Sequence, residues 1–319
     1  MAILRRTTVA LAAAGLLAAC ANPAPSSFTP GTAANHTQSF VKTMPAKGSA
    51  KHVLYIADID GQPGVGQILV YDATMNNPQL IRTITTGTGR PFGLWVDSKN
   101  VLYVANYPNK YPSSVTEFQP GASSPFFTIT SFKGYPESVA VDAKHNVFVN
   151  ESYEDEGYVQ EFAPGSATAE RTIDTGIGGY AFTPGNLAFD PQGNLIAAEQ
   201  AELKLHIVKI AHRSFKVTPL NLDLDGNGID GTGIGIDRAG NVYVAGSQNA
   251  TVAVFAPGQT EPSRTISPVS SYGLMGVTPQ GAVYEASGES TVTEIEPGSN
   301  SPTLILRCEC SAQGAAVSR

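Results

Sequence analysis

The chain has 319 residues, 20 Lys+Arg against 27 Asp+Glu, and a formal net charge of −7. No basic cluster offsets that acidity, which argues against a phosphate backbone as partner and so against nucleic-acid binding. A hydrophobic content of 42% allows a sizeable core, and three cysteines are too few for a disulfide-stapled scaffold.

In chain order, the first feature is a targeting segment. Arg5-Arg6 gives a positive start and Val9–Ala19 an apolar run too short to span a bilayer, which predicts a signal peptide over residues 1–19. It ends in Leu17-Ala18-Ala19-Cys20, which resembles the bacterial lipobox. That resemblance implies cleavage before Cys20 and lipid on its thiol and amine. With Ala21 rather than Asp next, it implies an outer-membrane or surface location on the bacterial cell envelope. Residues 20–51 are rich in Pro, Ser, Thr, Ala and Gly without apolar period, and predict a flexible tether. No later stretch is long enough to cross a membrane as a helix.

From residue 52 to 319 the chain repeats itself. Short apolar phrases ending in Asp97, Asp142, Asp190, Asp237 and Thr278 recur every 41 to 48 residues. Each is followed by a second apolar run: Leu102–Ala105, Val147–Asn150, Leu195–Ala198, Val242–Ala245 and Val283–Ala286. These runs are rich in β-branched and aromatic residues, as strands are. A third run ends in Pro-Gly within Phe118–Ile129, Phe162–Ile173, Phe255–Ile266 and Ile295–Leu306, and a fourth follows. Pro-Gly is a type II turn signal, and the Asp closing the first strand is expected to bond the backbone two residues on. Four antiparallel strands in this length make one propeller blade, and the Gly and Ala of the first strand suit a crowded axis.

Five units are complete. His52–Asp58 looks like a second strand lacking a first, and Gln313–Ser318 like a first strand lacking a second. Pairing them predicts an all-β, six-bladed β-propeller closed by its C-terminal strand, with no free sheet edge at the join. The segment Gly233–Ala245 resembles the NHL repeat, and that resemblance covers most of residues 52–318. It implies the same six-bladed fold and leaves activity open, because such propellers carry many functions.

Ligands are expected where the first strand begins and the second ends, since antiparallel neighbours bring both to one face. The leading positions are Phe92, Glu137, Gly185, Thr232, Gly273 and Gln313; the trailing positions are Asp58, Asn106, Glu151, Glu199, Gly246 and Ser287. Asp58, Phe92, Asn106, Glu137, Glu151 and Glu199 are therefore the candidate ligand-binding residues. Their carboxylates would collect a cation or cationic ligand, or form a solvated rim. Calcium-dependent lactonases are similar in architecture, but that resemblance asks for more acidic leading residues than Glu137 alone. Amidating lyases need a histidine cluster that these positions lack.

Asp223, Asp225, Asn227 and Asp230 resemble the start of a calcium loop without its closing Glu; the alternative is a plain Asp/Asn/Gly turn joining two blades. Outside the cytoplasm Cys308 and Cys310 could pair as a latch near the ring closure, or stay as thiols. His145 stands where other blades carry Gly in a turn and is expected at the surface. Arg90, Tyr111, Tyr153, Tyr158, Tyr180 and Tyr272, with the Tyr107–Ser114 insert and the Glu151–Glu156 loop, are places for specificity. No Ser/His/Asp set, phosphate loop or complete metal set falls in register. The expectation is an envelope-anchored binding or scaffold module for a protein, glycan or small ligand. One alternative is a metal-assisted hydrolase or lyase using Glu137, Glu151 and Glu199; another is a purely structural envelope protein.

Overall fold

The computed structural model describes residues 40–42, 52–62, 65–74, 77–108, 112–180, 183–224, 231–246, 250–267, 269 and 274–318. The chain divides into two units, Met1–His36 and Thr37–Arg319. The first, with Cys20, lies outside the described residues.

The second unit is a ring of six antiparallel sheets. Blade 1 joins the two ends of the domain: Ala312–Val317 is innermost, then Val53–Gln62, Val65–Asp72 and Gln79–Ile84. Blade 2 runs Arg90–Val96, Leu102–Tyr107, Ser114–Phe118 and Phe127–Ile129. Blade 3 runs Tyr135–Val141, Val147–Tyr153, Glu156–Phe162 and Ala169–Gly178. Blade 4 runs Thr183–Phe189, Leu195–Ala201, Lys204–Ile210 and Val217–Pro219. Blade 5 runs Ile234–Ile236, Val242–Gly246, Thr251–Phe255 and Arg264–Ile266. Blade 6 runs Met275–Val277, Val283–Ala286, Thr291–Ile295 and Leu304–Arg307. Phe40–Lys42, inside the stretch expected to be a tether, adds a fifth strand against Leu304–Leu306 and covers that edge.

The expected closure is present. Leu54 pairs with Val317, Ile56 with Ala315 and Ala57 with Gly314. The Val53 amide donates to the Ser318 hydroxyl at 2.7 Å, fastening the last described residue to the first blade.

Turn chemistry places the strands. The Asp190 carboxylate accepts the Gln192 amide at 3.0 Å and the Asn194 amide at 2.8 Å, and Asp97 and Asp142 repeat that pattern. Gly121, Gly165, Gly258 and Gly298 sit at φ 72 to 79°. In each of these turns the residue before the Pro accepts the amide after the Gly, as a type II turn requires. His145 adopts φ 67° in its turn, and its Nδ1 lies 3.0 Å from the Asp97 carboxylate of blade 2. The position expected at the surface is thus a half-buried link between blades.

The core is divided. Six apolar clusters lie between successive blades, including one between blades 6 and 1 across the closure. Phe118, Phe162, Phe255 and Ile295, each two residues before a Pro-Gly turn, are fully buried in them. The residues alternate by blade face: in the second strand of blade 2, Val104 packs toward blade 1 while Tyr103 and Ala105 pack toward blade 3.

The innermost strands nearly touch. A Cβ on Gly93 would lie 2.5 Å from Ser138 Cα, and one on Gly314 would lie 2.3 Å from the Phe92 carbonyl oxygen. The Asn186 side-chain oxygen accepts the Ile234 amide at 3.3 Å and the Met275 amide at 2.8 Å, so one side chain in blade 4 ties the inner strands of blades 5 and 6.

Candidate functional site

The trailing residues follow from strand parity. Asp58, Asn106, Glu151 and Glu199 each bond a group of the preceding blade or of the loop that leaves it, and all four are fully buried. Asp58 accepts the Ser311 amide at 2.9 Å and the Gln67 side-chain amide at 2.8 Å. Asn106 accepts the Gly89 amide at 3.0 Å. Glu151 accepts the Gly134 amide at 2.5 Å. Glu199 lies 2.7 Å from the Thr175 hydroxyl. Ser287 accepts the amides of Glu289 and Thr291. These side chains hold crossover loops and hairpins and, in the case of Glu199, the outer strand of blade 3. Burial pushes the Glu151 and Glu199 carboxyls up to about 7, against the bonds from Gly134 and Thr175 that favour the ionised form.

The leading residues behave differently. The pairing between the two innermost strands slips between Pro91 and Leu94, between Asn150 and Glu151, between Pro184 and Leu187, and between Ala57 and Asp58. Phe92, Glu137, Gly185 and Gln313 all fall in these bulges. A bulge leaves its extra residue unpaired and re-aims the side chain, so the rim of the axis is dressed by a repeated irregularity.

Two of these residues come together. The Phe92 and Tyr107 rings are 5.6 Å apart, and Tyr107 and Tyr135 are 5.4 Å apart. The Arg90 guanidinium lies over both Phe92 and Tyr107, at 5.1 and 5.7 Å from the ring centroids. Among the described residues no carboxylate stands within ion-pair distance of Arg90. Glu137 is only 9% exposed, and its carboxyl makes no hydrogen bond with a described residue. Burial pushes its pKa up to about 8, opposed by the charge of Arg90. Tyr107 senses the same group: burial, Glu137 and Tyr135 push its phenol up while Arg90 pulls it down. Arg90, Phe92, Tyr107, Tyr135 and Glu137 therefore form one cluster across blades 2 and 3, with a cation, aromatic faces and a neutral-leaning acid.

Beside it, Lys133 sits 3.1 Å from the Tyr158 ring centroid and 5.4 Å from that of Tyr153. A side-chain hydrogen bond with Tyr158 raises the Lys133 pKa most, and Glu156 and Asp174 add to it, so its charge already has neighbours within blade 3. Tyr135, Tyr153, Tyr180 and Leu203 are exposed, at strand ends and turns at the mouth end of blades 3 and 4. Glu154-Asp155 and Glu202-Leu203 form two-residue hairpins with φ 52° and 61° at both central positions in each, a type I′ geometry rarely taken by such residues.

Sequence reasoning reached Arg90, Phe92, Glu137, Tyr153, Tyr158 and Tyr180 separately and missed Tyr135 and Lys133. The available signal was Arg90-Pro91-Phe92 against Tyr135-Pro136-Glu137, the same X-Pro-X phrase opening two blades. Of the calcium-loop residues, Asp223 donates its amide to the Thr260 carbonyl at 2.8 Å; Asp225, Asn227 and Asp230 lie outside the described residues, as do Tyr111, Tyr272 and Gly273. Among the described residues no three His, Cys, Asp or Glu side chains are grouped to hold a metal. Cys308 and Cys310 are joined by a disulfide two residues before the closing strand.

A family profile described as a beta-propeller repeat matches residues 225–251. No curated protein matches the sequence. Among solved structures, a protein of unknown function from Bacteroides caccae is similar at TM-score 0.61 and 10% identity, over 85% of this chain and all of that one. TolB from Acinetobacter baumannii is similar at TM-score 0.63 and 12% identity, over 84% of this chain and 66% of that one. A functionally unknown protein from Desulfotomaculum acetoxidans reaches TM-score 0.55 and 15% identity, over 88% and 89%. At these identities the likeness is one of fold, and the chain is a six-bladed propeller by its own strand order.

Proposed function

We propose that this propeller is a binding module, held at the bacterial envelope by lipid on Cys20, whose ligand seats on the mouth face over blades 2 and 3. The observation that carries the binding reading is the cluster of Arg90, Phe92, Tyr107, Tyr135 and Glu137. Among the described residues the Arg90 guanidinium has no ion-pair partner and the nine-tenths-buried Glu137 carboxyl no hydrogen bond, and the Phe92 and Tyr107 rings brace the guanidinium. The lipobox phrase before Cys20 and the NHL-like repeat support the envelope and scaffold parts of the reading. The hydrolase or lyase alternative would need Glu137, Glu151 and Glu199 to share a site, yet Glu151 and Glu199 are each engaged with groups outside the rim.

Fractionating cells that express the full chain, with mass spectrometry of co-purifying material, tests both parts. Cys20→Ser is expected to leave the membrane pellet. Tyr135→Ala is expected to stay there and lose bound material. Equal material on wild type and Tyr135→Ala would move binding off this face.

A further inference from the structure

We infer that the cluster between blades 2 and 3 is built to take a carboxylate-bearing sugar, a hexuronate residue of an acidic glycan. This rests on the binding reading above and names the ligand class for that site.

The first reason is charge. An aromatic pair beside a carboxyl group would ordinarily suit a cationic ligand, but here the Arg90 guanidinium already occupies the Phe92 and Tyr107 faces. The ion the cluster presents is therefore positive, and no described carboxylate pairs with it. A ligand carboxylate completes it with a charge-assisted bond, and a guanidinium braced on rings loses little freedom in making that bond. Lys133, a short way along the same rim, already has Tyr158, Glu156 and Asp174 about it, whereas the acid beside Arg90 is Glu137, which burial holds toward its neutral form.

The second reason is shape. Tyr135 is 49% exposed and its ring is propped on Tyr107. A pyranose lays its C–H face on such a ring, and an equatorial carboxylate then projects sideways in the plane of the sugar, toward a neighbouring donor. The sugar hydroxyls need polar partners at the edge of the platform, and the Glu137 carboxyl there is 9% exposed and has no hydrogen bond with a described residue. An aromatic acid has no hydroxyl to use Glu137, and a neutral sugar has no charge to use Arg90. Tyr153, 38% exposed, and Tyr180, 79% exposed, continue along the same face. An open run of tyrosines suits successive residues of a polymer better than one enclosed small molecule.

Isothermal titration of the full-length chain tests this with four probes: tetragalacturonate, its methyl ester, cellotetraose and benzoate. Tetragalacturonate is expected to bind at least ten-fold more tightly than the other three. Arg90→Gln is expected to reduce it to the level of the ester, and Tyr135→Ala to weaken all the sugars. The exposed position of Tyr135 keeps that variant folded if Arg90→Gln is not, and melting curves report which are intact. Acid and ester binding alike, benzoate binding as well as the sugar, or no heat from any probe would each overturn the ligand class. Tetragalacturonate binding unchanged in folded Arg90→Gln and Tyr135→Ala would instead overturn the site and leave the class standing elsewhere on the molecule.

Discussion

Glu117, Glu137, Glu151 and Glu199 are removed from solvent, and burial lifts their carboxyl pKa from 4.5 to about 7, 8, 7 and 7. A folded-state pKa above the unfolded one means the native protein holds protons that the unfolded chain releases. The stability these groups contribute is full below about pH 4.5 and is lost as pH rises to between 7 and 8. The melting temperature of the wild type should therefore fall between pH 5 and pH 8. Glu137→Gln, which fixes the neutral form, should flatten the part of that fall nearest pH 8. Melting curves across the range check this, and a wild-type profile rising toward pH 8 would contradict it. The same shift changes the mouth: Glu137, the acid beside Arg90, favours its protonated form near neutrality, which leaves Arg90 prominent.

At the scale of strands, the strongest constraint is the crowding of the six innermost ones. Gly93 and Gly314 are required because a Cβ would strike the neighbouring inner strand, not because either turns with positive φ. Asn186 fills the remaining space with two accepted bonds from other blades. Asn186→Ala should orphan the Ile234 and Met275 amides, at about 1–3 kcal/mol for each buried group left without a partner. Urea denaturation should show a midpoint lowered to match, and an unchanged midpoint would mean that water replaces the side chain. Strand pairing also explains the trailing residues. Their positions were legible in the repeat, but their direction was not. A pleat turns each toward the preceding blade, so Glu151 became an anchor for the loop at Gly134 and Glu199 a tie to the outer strand of blade 3.

For the molecule as a whole, the six interblade clusters make each blade depend on two neighbours, and the pairing of Ala312–Val317 with the second strand of blade 1 completes the circuit. Trp95, the single tryptophan, packs among blades 2, 3 and 4, with the Phe189 ring 6.3 Å away. Deleting residues 312–319 should expose the edge of Val53–Gln62 and lower the urea midpoint read by Trp95 fluorescence, although the Trp95 ring packs with the clusters between blades 2 and 3 and between blades 3 and 4. If the midpoint reported by Trp95 is unchanged, the blades unfold independently and closure stabilises blade 1 alone.

The amino-acid sequence by itself determined the blade count, the Asp and Pro-Gly turns and the join between the ends. Each of these is written in local spacing, because strand length, turn residue and repeat period are properties of neighbours along the chain. Only the tertiary structure decided which side chains meet. The Arg90–Phe92–Tyr107 contacts span a blade's first hairpin, Tyr135 and Glu137 arrive from the next blade, and the bulges that aim them depend on how two inner strands fit. Such a meeting is set by packing between elements far apart in sequence, so the shared X-Pro-X phrase marks the two strand starts without saying that their side chains meet.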